Sequence, residues 1–389
     1  MKKEHSSRWR KLDNAAQAFP AATGKKDTRV FRFYCQLKED IQADLLQKAL
    51  EQTMEHYPVF SMVLRKGLFW FYLEQRDLPA KVEEEKRPPC SEIYVPDHKT
   101  LLFQVSYYKT RINFEVFHAL TDGTGAMLFL KELVSNYLIL RHPEETFSKV
   151  SEDMLTETDF EEDSFSQYYT GKKSEKEKSR PAYQIKGEYL ELEITEILLS
   201  AEAVHKCAKA HGVSVTAYLA AALVYAVYEE IPKSRLKKPV SLMVPANLRN
   251  FFPSASMTNF WSWIEIACDL GPEASFEDAL QITGAAMQKE ALKQEISTRM
   301  NDLVRIERNP VLRAVPLEIK NLALMADEAL RPSIPISAGF RCRRSMKHIL
   351  SGSDFSPAQT KYRCVPAPTG TAWCLESHLK SPIPILNGT

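Results

Sequence analysis

An imidazole, a carboxylate and a glycine stand at fixed spacing in Phe117-His118-Ala119-Leu120-Thr121-Asp122-Gly123, and this is where the chain is equipped to move a proton. Ile112, Phe114 and Val116 alternate with Asn113 and Glu115, the period of a half-buried strand. His118 falls in phase with the apolar set, so its ring is expected to face inward. A buried, neutral imidazole within hydrogen-bond reach of a hydroxyl can take its proton, which makes His118 a candidate general base. The bland alternative is a core histidine satisfied by backbone. Asp122, four residues on and past a turn, is suited to organising the site rather than accepting a proton, and a plain helix N-cap would serve the same end. Gly123 and Gly125 are expected to supply backbone freedom and to leave room beside the turn for another segment or a ligand.

The elements that must hold these groups can be read on either side. After the turn, Met127, Leu130, Val134, Tyr137 and Leu138 recur at helical spacing, with Asp122 opening the helix. Before it, residues 29–38 alternate as a strand. Asp40 to His56 reads as a helix with Ile41, Leu45, Ala49, Leu50 and Met54 inward, closed by Tyr57-Pro58. Phe60 to Leu64 and Leu68 to Leu73, joined at Arg65-Lys66-Gly67, predict one β-hairpin, and Leu101 to Tyr108 with Ile112 to His118 another. From Glu144 to Gly187 an acidic stretch (Glu152 to Asp163) precedes a basic one (Lys172 to Arg180), as in a solvated linker. A second unit follows, with a strand over Leu190, Leu192 and Ile194. Ser200 caps one predicted helix, ending near Gly212, and Ser214 opens a longer apolar one to Glu230. Val240 to Val244 and Phe260 to Ala267 read as buried strands. Ser275-Phe276-Glu277-Asp278 has capping-box form before a helix running beyond Leu292.

A strand, then His-x-x-x-Asp-Gly, then a helix resembles the motif of the acyltransferase superfamily that includes chloramphenicol acetyltransferase, non-ribosomal peptide condensation domains and alcohol acetyltransferases. The chain differs at Phe117, where many members carry a second histidine. Val244-Pro245-Ala246-Asn247-Leu248-Arg249, followed by Thr258-Asn259-Phe260, is similar to the Pro-x-Asn/Asp-Leu-Arg turn and Asn-Phe strand start of bacterial alcohol acetyltransferase-like members. The likeness spans roughly residues 8 to 328. It implies an α/β (α+β) fold of two chloramphenicol-acetyltransferase-like domains that form a pseudo-dimer around an interdomain tunnel. On this reading residues 1–143 form the first domain with the motif, 144–187 the charged linker and 188–329 a second domain that is expected to be incomplete.

The resemblance also assigns chemistry. An acyl group, acetyl in this branch, passes from a CoA thioester to a small-molecule alcohol with His118 as base and no acyl-enzyme. Acyl-CoA is a co-substrate, and no bound cofactor or metal is implied. The family pairs the motif aspartate with an arginine, and Arg249 is the candidate partner for Asp122 through a bidentate contact. Asn259 and Ser262 are candidates to hold the oxyanion or substrate. Trp261 and Trp263 are expected in the core, His205 and His211 in solvent. The alternatives are a condensation-type enzyme using an acyl carrier protein, and an inactive remnant that only binds.

Composition sets bounds on all of this. With 389 residues, 44% hydrophobic and 26% charged, the chain is long enough for two cored domains. Lys plus Arg number 51 and Asp plus Glu 50, so the balance offers no global pull toward nucleic acid or anionic membrane. The charged start Met1-Lys2-Lys3-Glu4-His5 lacks a signal peptide's apolar run and no stretch reaches the roughly 20 apolar residues of a membrane span, so the expected address is cytoplasmic. Seven cysteines show no paired zinc or redox spacing.

The last segment, residues 330–389, breaks the pattern. Prolines recur from Arg331-Pro332-Ser333-Ile334-Pro335, and Cys342, Cys364 and Cys374 fall here without helical or strand periodicity. Two expectations compete: a reading frame lost near residues 328 to 332 that leaves a non-native or disordered end, or a divergent loop-rich tail.

Overall fold

The structure, a computed structural model, describes residues 8–24, 27–144, 164–172, 182–183, 196–290, 293–330, 361–365 and 374–377. Its first unit contains β1 (Trp9–Lys11), α1 (Phe19–Ala22), β2 (Val30–Gln36), α2 (Ala43–His56), β3 (Met62–Lys66), β4 (Phe71–Gln75), β5 (Val82–Glu84), β6 (Phe103–Tyr108), β7 (Arg111–Phe117) and α3 (Gly123–Arg141). The main sheet has the order β2-β7-β6-β5, antiparallel except for β5 on β6, and β1-β4-β3 form a smaller sheet. Both predicted hairpins form, the first shifted by two residues because Phe60 lies in a 3₁₀ turn.

On one face β7 meets α3 through rings: Phe114 stacks on Phe129 at 4.8 Å, and Phe60 lies 4.2 Å from Phe129. Each such ring, taken out of water, contributes roughly 1.5–3 kcal/mol. The alternate face was expected to be solvated, yet Asn113 is 0% and Glu115 4% exposed. The segment around Cys90 reaches Glu115 on that face. Glu115 is compensated there by Arg32, whose Nε donates at 3.0 Å, and by the Cys90 backbone N–H. Strand alternation therefore identified the two faces but not that both are covered.

The second unit contains β8 (Glu196–Leu198), α5 (Ala201–Ala210), α6 (Val215–Glu230), β9 (Val240–Asn247), β10 (Trp261–Cys268), α7 (Phe276–Glu290), α8 (Lys293–Arg308), α9 (Pro310–Ala314) and α10 (Leu317–Leu330), preceded by the short α4 (Ser164–Gln167). Local chemistry starts its helices as the sequence predicts. Ser200 and Ser214 accept the backbone N–H of Ala203 and Ala217, and Ser275 with Asp278 forms a reciprocal capping box at 2.8 and 3.2 Å. α6 is buried on most sides and packs Val224 and Val227 against Leu242, Ile264 and Ile266 of the antiparallel β9/β10 pair. β10, expected to be buried throughout, alternates: Ser262, Ile264, Ile266 and Cys268 face this core, whereas Trp261, Trp263 and Glu265 do not.

Two predicted connecting regions look different in part. Within the expected solvated linker, Phe165 is 1% exposed with its ring 5.2 Å from that of Phe260, and the Thr170 N–H donates to Asn301 at 2.8 Å. The strand predicted at 190–194 and most of the linker's charge runs lie outside the described residues. Of residues 331–389 the structure describes β11 (Lys361–Val365) and β12 (Cys374–Ser377), which pair antiparallel, with β11 also pairing to β8. No single helix among the described residues is long and apolar enough to cross a membrane.

Candidate active site

β7 delivers His118 to the boundary between the two units. The Val30–Phe117 pair is the last in the β2/β7 ladder, and one step beyond it the His118 N–H donates to the Arg29 carbonyl at 2.9 Å. Arg29 sits at φ 50, in the left-handed region that a non-glycine residue enters only where its surroundings insist. The imidazole is enclosed by aromatic rings. Phe19 stacks on it with centroids 4.6 Å apart, Phe31 lies at 4.9 Å, and Trp261 of the second unit at 5.8 Å.

Asn259, from the segment leading into β10, completes the cage. Its Oδ1 lies 3.0 Å from His118 Nδ1 and accepts from the Trp261 indole N–H at 3.3 Å. Its Nδ2 donates to the His118 carbonyl at 3.0 Å and to Asp13 Oδ2 at 3.2 Å. An indole nitrogen can only donate and a carbonyl can only accept, so the amide orientation follows from its neighbours and Nδ1 of the neutral ring carries the hydrogen. Nε2 is then left with its lone pair. Burial, the largest influence, pulls the imidazole below its ordinary pKa against smaller opposing contributions from its own backbone, Asp122 and Asn259, and Arg29 adds to the lowering. The ring is neutral at pH 7 and fit to accept a proton at Nε2.

Asp122 is both the helix cap and the ion-pair partner that the sequence left as alternatives. Oδ1 accepts the N–H groups of Thr124 and Gly125 at 3.0 and 3.2 Å. Oδ2 accepts the Phe260 N–H at 2.9 Å and Nη1 of Arg249 at 2.6 Å. The contact is single rather than bidentate, because the other oxygen is occupied by the helix. Arg249 spends its remaining donors on the loop before β10: Nη2 reaches the Ser256 and Thr258 carbonyls at 2.7 and 2.8 Å. Asn247 adds a further tie between the units, its Nδ2 donating to Thr124 at 3.1 Å.

Four other sequence expectations change. Gly123 has no left-handed φ, and a Cβ there would make ordinary contact with Phe33 at 3.6 Å. Gly125 is the glycine the turn requires, since a Cβ would lie 2.1 Å from Thr121 Oγ1 and 2.8 Å from the Met257 carbonyl. Asn259 has both amide hydrogens engaged, so it positions the imidazole and has no N–H left for an oxyanion. Ser262 is fully buried on the face of β10 opposite Trp261, turned away from His118, with no hydrogen-bond partner for its hydroxyl among the described residues. Trp261, expected in the core, is partly exposed beside the imidazole, with the Trp263 ring 6.4 Å away.

Asp13 is the site residue that the sequence reading missed. Its Oδ1 accepts the Ala16 N–H at 2.8 Å, a contact three residues away that carries no signal of a site, while Oδ2 accepts the backbone N–H and one side-chain N–H of Asn259. Burial raises its pKa from 3.8 to about 6, opposed by the Ala16 hydrogen bond, the Arg10 charge and Asn259. His205 and His211 are exposed as expected. Among the described residues no group of three or more His, Cys, Asp or Glu side chains could hold a metal ion.

Comparison with known proteins agrees with this geometry at the level of fold. The profile of the phthiocerol/phthiodiolone dimycocerosyl transferase C-terminus matches residues 193–310. No curated protein sequence matches the chain. Among solved structures, polyketide synthase associated protein 5 from Mycobacterium tuberculosis is 16% identical with a TM-score of 0.55, over 74% of this chain and 75% of that one. F. sporotrichioides TRI101, complexed with Coenzyme A and T-2, is 12% identical with a TM-score of 0.53 over 80% of both chains. The first condensation domain of the calcium-dependent antibiotic synthetase, in complex with a substrate analogue, is 14% identical with a TM-score of 0.53, over 77% of this chain and 78% of its own.

Proposed function

Because the chain has the fold of the CoA-dependent acyltransferase and condensation-domain superfamily, we propose that it transfers an acyl group from a CoA thioester to an alcohol, with His118 as general base. The observation that carries the reading is a neutral imidazole whose Nδ1 is tied to Asn259 and whose Nε2 is left bare inside an aromatic cage. Nε2 takes the proton as the acceptor oxygen attacks the thioester carbon. When the tetrahedral intermediate collapses, the C–S bond breaks, the electron pair leaves on sulfur and the same nitrogen returns the proton to the thiolate. No covalent enzyme intermediate is needed. Asp122 and Arg249 touch neither reactant; they hold the turn and the β10 approach in register. Phe19, Phe31 and Trp261 line the base with apolar rings and favour an apolar acceptor.

Within this reading acetyl is the acyl group we favour, as in the alcohol acetyltransferases that the motif resembles. Incubating the full chain with acetyl-CoA and a panel of alcohols, and following free thiol, tests it. Acceptor-dependent thiol release that disappears in His118→Ala is expected. Absence of release with every acceptor, or a His118→Ala chain as active as the parent, would defeat the proposal. Replacing acetyl-CoA by a carrier-protein thioester identifies the preferred donor.

A further inference from the structure

We infer that Asp13 is a positioning residue for this reaction: through the amide of Asn259 it dictates which nitrogen of His118 is bare. The inference rests on His118 being the base, and deepens that assignment by naming what fixes its tautomer.

An asparagine amide has nearly the same shape either way round, so its neighbours decide how it points. As it stands, the Nδ2 end faces two acceptors, Asp13 Oδ2 at 3.2 Å and the His118 carbonyl at 3.0 Å, and the Oδ1 end faces His118 Nδ1 and the Trp261 indole. Turned by half a rotation, the amide would set Oδ1 against a carboxylate and a carbonyl with no hydrogen between them. It would also donate to Nδ1, which must then be the acceptor. The proton would move to Nε2 and occupy the lone pair that catalysis uses.

Of the groups that resist this flip, Asp13 carries the full charge, and in a buried setting a charge opposed to a carbonyl dipole weighs most. The carboxylate cannot swing aside. Oδ1 is anchored by the Ala16 N–H at 2.8 Å, and Oδ2 also takes the Asn259 backbone N–H at 3.1 Å. Asp13 is only 7% exposed, and with a pKa of about 6 it is ionised at neutral pH in spite of its burial. The fold thus keeps an anion behind the imidazole where a neutral side chain would be cheaper to bury, as is common where function opposes stability.

The test is the tautomer itself, read by NMR on the full chain with ¹⁵N-labelled histidine at a pH where His118 is neutral. The parent is expected to show a protonated Nδ1 and an unprotonated Nε2. In Asp13→Asn the two shifts should average or exchange, and kcat for thiol release should fall by about tenfold or more with KM little changed. Asp13→Ser can keep an acceptor for Ala16 while removing both the charge and the oxygen that faces Asn259, so it serves if Asp13→Asn does not fold. Trp261→Phe deletes the indole donor and leaves Asp13 in place; it should retain the parent tautomer, and losing it there would overturn the inference. So would a folded Asp13→Asn or Asp13→Ser chain in which Nδ1 stays fully protonated. A tautomer that responds to Asp13 in a chain with no thioester turnover would instead defeat the acyltransferase reading alone.

Discussion

His118 is asked to be basic in a place that penalises its charged form, and two measurable pH effects follow. Only the neutral ring is a base, and burial holds its pKa below the ordinary 6.5, so the acid limb of kcat/KM is expected below pH 6.5 with a plateau above it. A limb centred above 6.5 would contradict the assignment. The same shift sets a stability slope: as pH falls from 6.5 toward the folded pKa, the unfolded chain takes up a proton that the folded chain resists, and stability drops. His118→Gln should flatten that slope in denaturant melts while lowering turnover by about 10²-fold or more. Asp13 has the opposite sign. Its folded pKa is raised from 3.8 to about 6, so stability falls as pH climbs through that window, by about 3 kcal/mol in all.

Among the elements, the turn between β7 and α3 is where the two glycines separate. Gly125→Ala would put a methyl group against Thr121 and the Met257 carbonyl, and is expected to destabilise by at least about 1–3 kcal/mol. Gly123→Ala meets only Phe33 at the first position of a helix and should be neutral or stabilising by up to about 1 kcal/mol. Chemical denaturation of the two variants measures both, and equal losses would contradict the geometry. At α7, Ser275→Ala should cost about 1 kcal/mol, since it removes one half of a capping box. Caps were legible because they act over three residues, and so were the β7 strand and the α3 helix. The burial of Glu115 was not, since Arg32 and the Cys90 backbone that engage it arrive from elsewhere in the chain.

For the whole molecule, the pairing that matters joins the units. Asp122 belongs to the first, Arg249 and Phe260 to the second, and removing one partner strands a buried charge. Asp122→Ala is therefore expected to cost about 3–5 kcal/mol and to raise hydrogen exchange in residues 256–260, which Arg249 holds. An Asp122→Ala chain as stable as the parent, with unchanged exchange there, would show that the pair does not brace the boundary. The sequence by itself determined the local terms: a strand that ends in an inward histidine, a helix that Asp122 opens and the serine caps. Those depend on residues a few positions apart, where period and hydrogen-bond chemistry are enough. Only the tertiary structure decided that Asn259 orients the imidazole from 141 residues away and that Asp13 backs Asn259 across 246. The physical reason is that such contacts are set by how two packed units meet, and no local pattern in the chain encodes that meeting.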